Sequence, residues 1–281
     1  MIDGVLILCC PPEADKEVSV DCMNARPGVE VASRSDVGCQ RVNNEDSFLY
    51  WEPVRDDDFQ RKGRLAVIAD GMGGYEGGQE ASRLAVETVR EVYDNSFRDD
   101  PNVTLREAFA TAHERIQGYA ERHPGLHGMG TTCTALVIRG RQLFFAHVGD
   151  SRLYLVRGAS ISRLTRDHSY VGRLVESGIV RAEDAEKHPQ RHILTAALGA
   201  GMEVAVESAE QGMTLQDSDD LLLCTDGLWG VVSEEELEAA VTSNAPAACC
   251  AILVNLARQR GGPDNITVQV LRVGSQPHPQ S

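Results

Sequence analysis

The chain has 281 residues, a formal charge of −15, 42% hydrophobic residues and eight cysteines. Its length supports a substantial buried core, and the acid excess argues against a nucleic-acid binder, which needs a basic surface to neutralise phosphates. No stretch approaches the roughly 20 apolar residues of a membrane span, and the apolar start carries Asp3 and no basic flank, which makes it a poor secretory signal.

In chain order, residues 1–28 read as a loose leader, 29–273 as the folded body and 274–281 as a polar tail. A first strand begins near Val29, with a turn over 33–38. Residues 40–50 are extended and flow into a strand, and 56–63, with three aspartates, reads as a solvated hairpin loop. The glycine-rich stretch 71–78 opens a helix over 79–93, striped by Leu84, Val86, Val89 and Val92. A capping-box pattern, Thr104 to Glu107, starts a second helix that runs to 122.

Strands over 131–139, 143–148 and 152–156 follow, then an irregular stretch, 168–198, of the kind that is often functional. A strand over 220–225, a capped helix from Ser233, a helix over 246–260 and a strand over 266–273 complete the body. Helices come in pairs between groups of strands. That order predicts an α+β fold with antiparallel sheets rather than a doubly wound parallel sheet. No internal repeat or composition break divides the body. Cys133, Cys224, Cys249 and Cys250 lie in apolar runs, and no C-x-x-C pair occurs. The cysteines therefore read as free, buried side chains in a reducing, cytoplasmic compartment, not as a zinc site.

Four apolar runs meet an aspartate at one end: Asp70, Asp150 and Asp226 close theirs, and Asp264 opens one. Such runs read as strands with turns at their tips, so acids are delivered to one end of a sheet. Clustered carboxylates repel unless divalent cations neutralise them, and oxygen-only ligands favour Mg, Mn or Ca. Glu45 and Asp46, adjacent on an extended chain, point to opposite faces. Arg41 shares a face with Glu45 on a regular strand. It either grips an anionic substrate, as guanidinium does phosphate, or forms a surface salt bridge.

The 71–78 loop lacks the Gly-Lys-Ser/Thr end of a P-loop and the full dinucleotide fingerprint. Its glycines suit backbone passing close to an ion. His147, inside an apolar strand, reads as a core histidine. His168, at the mouth of the irregular stretch, is open between general acid and loop residue. Ser151 is not in a nucleophile elbow, which leaves a metal-activated water as the better nucleophile.

Seven motifs occur in order: Arg41 to Asp46, Asp70-Gly71-Met72-Gly73-Gly74, Gly130-Thr131-Thr132, His147 to Arg152, Leu164 to Ser169, Asp226-Gly227 and Gly261 to Thr267. Together they resemble the metal-dependent serine/threonine protein phosphatases of the protein phosphatase 2C family, bacterial branch, over about residues 29–273. The resemblance implies a central β-sandwich of two antiparallel sheets flanked by pairs of helices, in α-β-β-α layers. It implies Mn2+ or Mg2+ as two core ions, with Asp70 bridging, Gly71 lending its carbonyl, and Glu45, Asp226 and Asp264 completing the shells. Asp150 would hold a third ion, Asp46 would bind metal waters, and Arg41 would grip phosphate.

Met72 stands where eukaryotic members carry a proton-donating histidine, and His168 is the candidate replacement. Residues 170–198 match the family's substrate-selecting flap. The expected activity is hydrolysis of phosphoserine and phosphothreonine on proteins, opposing a serine/threonine kinase, by a monomer that binds neither nucleic acid nor membrane. The rival reading is a catalytically silent, phosphatase-like binding module. Degraded metal acids would mark that case, and here all are present.

Overall fold

The computed structural model describes residues 4–8, 21–22, 25–73, 76–185, 188–201, 204–209 and 211–274. The first half of the chain forms β1 (Gly4–Leu8), β2 (Asp21–Cys22), β3 (Val29–Asp36), β4 (Asp46–Pro53), α1 (Asp56–Lys62), β5 (Arg64–Met72), α2 (Gly77–Asn95) and α3 (Pro101–Arg122). Next come β6 (Gly130–Thr131), β7 (Cys133–Arg139), β8 (Gln142–Val148), β9 (Arg152–Val156), β10 (Ile161–Arg163), α4 (Tyr170–Glu176) and α5 (Ala182–Ala185). Last are β11 (Glu207–Ser208), β12 (Met213–Thr214), β13 (Asp220–Cys224), α6 (Asp226–Trp229), α7 (Glu234–Ser243), α8 (Pro246–Gln259) and β14 (Ile266–Val273).

The chain gathers into two compact units. The first takes residues 1–10, 45–151 and 165–213. Its sheet runs β1-β4-β5-β7-β8-β11, with antiparallel pairing throughout. Leu65, Val67 and Ala69 of β5 alternate onto the face that meets α2 and α3, where Ala85, Val89, Leu105, Phe109 and Ile116 are buried. The small alanines let the helices lie close to the sheet. Phe109 is fully buried and supplies about 1.5–3 kcal/mol relative to an exposed ring.

The second unit takes residues 11–44, 152–164 and 214–281. Its sheet runs β10-β9-β13-β14-β3-β2, again antiparallel. α7 and α8 cover it through Leu237, Val241, Cys249, Cys250 and Leu253, which pack with Leu222, Val268 and Val270. Ser233 caps α7 in a reciprocal box with Glu236, as its sequence predicts. The α+β organisation, with antiparallel sheets and helices in pairs, is the one expected from the order of elements.

Several local expectations are corrected. Residues 56–62 form α1 instead of a hairpin loop. Asp56, Asp57 and Asp58 occupy its first turn and Arg61 and Lys62 its last, which complements the helix dipole. Strand β3 continues to Asp36 where a turn was expected at 33–38. Residues 40–45 are irregular, so the regular strand assumed between Arg41 and Glu45 does not exist. Helix α3 begins at Pro101 rather than Thr104, because the Asp100 side chain accepts the Asn102 N–H and proline suits the first turn.

Within 1–28, read as a leader, the backbone of β1 pairs with β4 and that of β2 with β3. Cys133, Cys224, Cys249 and Cys250 are free and buried, while Cys39 is free and exposed, against expectation. Burial pushes the Cys249 thiol up to about 12. The side chains of Cys9, Cys10 and Cys22, the glycine-loop residues Gly74 and Tyr75, and the tail from 275 lie outside the described residues. No helix among the described residues is long and apolar enough to cross a membrane.

Candidate active site

Asp46 and Asp70 stand directly opposite each other in the β4–β5 register. Opposed side chains share a sheet face with Cβ atoms roughly 4.5–5.5 Å apart, where like charges are destabilising. Asp46 is buried, which sharpens that cost. The acids therefore call for a cation.

Asp70 is held through its backbone. Its N–H donates to Thr132 Oγ1 at 3.0 Å, and its carbonyl accepts from Thr132 N–H at 2.9 Å and Thr131 Oγ1 at 2.8 Å. Thr132 Oγ1 also lies 2.8 Å from Ser151 Oγ, which places the buried Asp150 beside the same network. Gly149 sits at φ 112°, and a Cβ there would come within 2.5 Å of the Thr132 side chain. These contacts account for the Gly-Thr-Thr and Gly-Asp-Ser motifs. Sequence reasoning had given no role to Thr131, Thr132 or Ser151.

The Glu45 carbonyl accepts from Gly71 N–H at 3.1 Å and Ser82 Oγ at 2.6 Å. A Cβ on Gly71 would lie 2.0 Å from the Gly78 carbonyl oxygen, and one on Gly78 would lie 2.4 Å from Glu45 Oε2. Both glycines are thus required for the loop to close around Glu45.

In the second unit, Asp226 opens the short helix α6 directly after β13. A Cβ on the next residue, Gly227, would meet the Asn265 carbonyl oxygen at 1.9 Å, so the Asp226-Gly227 step is pressed against the Asp264–Asn265 step. Asn265 Nδ2 donates to the carbonyls of Val37 (3.0 Å) and Asn43 (2.9 Å), tying down the loop that carries Arg41. Arg41 forms a 2.8 Å ion pair with Asp264, with both side chains partly exposed. The salt-bridge alternative thus has a named partner, Asp264. Nothing in the sequence pointed to Asn265, since its two partners are more than 200 residues away.

Glu45, Asp46, Asp70, Gly71, Asp150 and His168 therefore belong to the first unit, and Arg41, Asp226 and Asp264 to the second. Every predicted ligand offers oxygen, the donor set of a hard divalent cation. One carboxylate oxygen of Asp46 and one of Asp226, Oδ1 in both, is buried and accepts no hydrogen bond, although each residue makes other contacts. The residues present fit Mn2+ or Mg2+.

His147 is fully buried. Its Nε2 faces the carbonyls of Gly149 (3.0 Å) and Arg166 (3.1 Å), so Nε2 carries the hydrogen and Nδ1 accepts from Thr134 Oγ1 at 2.8 Å. Burial, then the neighbouring His168, pulls its pKa down to about 4. It is a core histidine. His168 Nδ1 accepts the Gly149 N–H at 3.3 Å, and Nε2 lies 3.7 Å from Glu207 Oε2.

Burial works against ionisation of Glu207, but hydrogen bonds from His168 and Arg166 outweigh it and hold the carboxyl at about 2. Ligand atoms of His147, His168 and Glu207 all lie within 4.8 Å of one another. A metal on His168 Nε2 would leave a hydrogen on Nδ1 facing the Gly149 N–H, donor against donor. The trio is a hydrogen-bond network rather than a second metal centre.

Residues 40–248 match the family model described as Protein phosphatase 2C. The serine/threonine protein phosphatase PstP of Mycobacterium tuberculosis is 37% identical over 245 residues, 86% of this chain and 44% of that protein. The chain thus spans under half of PstP. The protein phosphatase PhpP of Streptococcus pneumoniae is 36% identical over 258 residues, 88% of this chain and 99% of that one. Among solved structures, the PstP catalytic domain in complex with two manganese ions matches with a TM-score of 0.76 and 34% identity, covering 88% of this chain and 99% of that one.

Proposed function

Because the chain belongs to the protein phosphatase 2C family, we propose that it hydrolyses phosphoserine and phosphothreonine on proteins, with water as the nucleophile and no covalent phosphoenzyme. The observation that carries this reading is the opposed pair Asp46 and Asp70 at the end of a strand pair, in a family whose PstP member binds two manganese ions. When bound, the Mn2+ or Mg2+ ions supply an activated water and positive charge for the phosphoryl oxygens.

The chain's own residues supply placement. Asp70 would help hold the ions, with Thr131 and Thr132 fixing its backbone. Glu45, Gly71, Asp226 and Asp264 would complete the shells, and Asp150 would hold a third ion. Asp46 would orient metal waters, and Arg41 would leave Asp264 to grip a phosphate oxygen. Most of the rate then comes from orientation and charge neutralisation.

His168 is the candidate proton donor, a role that requires Nε2–H to turn away from Glu207. His168→Ala tests it, since unchanged turnover of both phenyl phosphate and a phosphopeptide would remove the role. Residues 29–273 are the proposed catalytic body, acting as a cytoplasmic monomer on phosphoproteins and opposing a kinase.

The decisive experiment compares wild type with Asp226→Asn, with and without Mn2+. Turnover should fall roughly 1,000-fold or more, the scale of several kcal/mol of lost charge stabilisation. Activity that survives both EDTA and the substitution would sink the mechanism, and no activity under any condition would favour the silent binding module.

A further inference from the structure

The start of the irregular stretch meets a carboxylate that lies beyond its other end. Glu207 Oε2 accepts the backbone N–H of Arg166 at 3.0 Å, and Oε1 accepts Arg166 Nε at 3.0 Å. Glu207 Oε2 also faces His168 Nε2 at 3.7 Å. Glu207 sits on β11, whose register sets it opposite His147 on β8, so the carboxylate is mounted on the sheet. Its side chain is only 13% exposed while that of Arg166 is 69% exposed, so the anchor is largely buried and its partner faces solvent. From Arg166 the chain of contacts continues to Glu176 in α4 at 3.6 Å.

A second foot stands nearby. Leu198 exchanges both backbone hydrogen bonds with Thr131, at 3.0 and 2.9 Å, and Thr131 Oγ1 donates to the Asp70 carbonyl. Between the feet, Ser169 bridges Leu194. The stretch presents Tyr170, Ile179 and Ile193, three of the seven exposed large apolar side chains among the described residues. Exposed apolar side chains of this kind suit a protein substrate rather than a small phosphate ester.

We propose that Glu207 is a positioning residue that clasps Arg166 and His168 and so sets where residues 166–198 meet a phosphoprotein substrate. Glu207 does not touch the reacting atoms. It acts through the segment it holds, and the proposal rests on the phosphatase reading for its substrate.

The test uses the full chain with Mn2+, comparing Glu207→Ala, Glu207→Gln and Arg166→Gln on a phosphothreonine peptide and on p-nitrophenyl phosphate. Glu207→Ala should raise KM for the peptide about tenfold, the factor carried by a lost charge-assisted hydrogen bond. Hydrolysis of p-nitrophenyl phosphate should stay unchanged, because nitrophenolate leaves without needing the proton that His168 would donate. Glu207→Gln keeps one acceptor and should fall between, and Arg166→Gln, at an exposed position, should give the same split without unfolding the chain.

Amide hydrogen exchange, read without substrate, should quicken at Arg166, His168 and Tyr170 in Glu207→Ala. Equal losses on both substrates, or an unchanged peptide KM in all three variants, would overturn the clasp. Faster exchange in a chain that hydrolyses neither substrate would instead overturn the phosphatase reading and leave the clasp standing.

Discussion

Two regions of the first unit are built in opposite ways. At the strand tips, Asp70 is gripped by backbone and hydroxyl hydrogen bonds, and glycines at 71 and 78 leave no room around Glu45. Across residues 165–209, backbone bonds at Ser169 and Leu198 are supplemented by charged side chains at the surface, Arg166 to Glu207 and Glu176, and Arg181 to Glu183 and Asp184. Backbone bonds inside a buried network fix atoms to fractions of an ångström, whereas exposed ion pairs contribute little and can re-form. The acids of this unit that are proposed to hold metal sit in the rigid region. The segment proposed to meet protein substrates sits in the adjustable one.

The contrast can be sharpened first through His147, which locks the rigid region. Its folded pKa, about 4, lies below the ordinary 6.5. The native state then binds fewer protons than the unfolded chain, so stability falls as pH drops from 6.5 towards 4, by a total on the order of 3 kcal/mol. Thermal melts from pH 7 to pH 4 should show that slope, and His147→Gln should flatten it. Glu207, with a folded pKa of about 2, loses its contribution in a lower window, as pH falls from the ordinary carboxylate range towards 2. A single limb with no dependence on His147 would break the assignment.

A smaller effect is expected at Thr132. Thr132→Val leaves the Asp70 N–H without its acceptor, which should cost about 1–3 kcal/mol in denaturant unfolding. It should also lower kcat on small and protein substrates alike, because Asp70 itself shifts. A change confined to peptide KM would place Thr132 with the adjustable region.

The smallest effect belongs to Ser169, whose hydroxyl caps α4 by accepting the Gly172 N–H. Ser169→Ala should cost about 1 kcal/mol, confined to that helix. Faster amide exchange in α4, with an unchanged melting temperature, would be the signature. A fall in global stability would show that the segment is not separately adjustable.

Much of the fold and of the acid-bearing strand tips was legible in the sequence because short-range physics writes it there. Apolar runs ending in Asp70, Asp150 and Asp226 could only be strands with acids at their tips, and Ser233 with Glu236 spelled a helix start. The charges of α1 were equally visible, with acids first and bases last. They were misread because the segment is short and polar throughout.

Other features had no local signal. The partnership of Glu207 with Arg166 spans 41 positions, and Asn265 reaches residues at the far end of the chain. Only tertiary structure brings such groups together. Arg41 pairing with Asp264 was open for the same reason, since the two lie 223 positions apart.

The hydrogen bond from the Asp70 amide to Thr132 Oγ1 has a practical use. It places an isotope-labelled nitrogen a few bonds from the carboxylate at the centre of the acid cluster, in a backbone that is otherwise fixed. The resonance of that one amide should follow titration of the acid end by cations, peak by peak, in a sample that is turning over nothing.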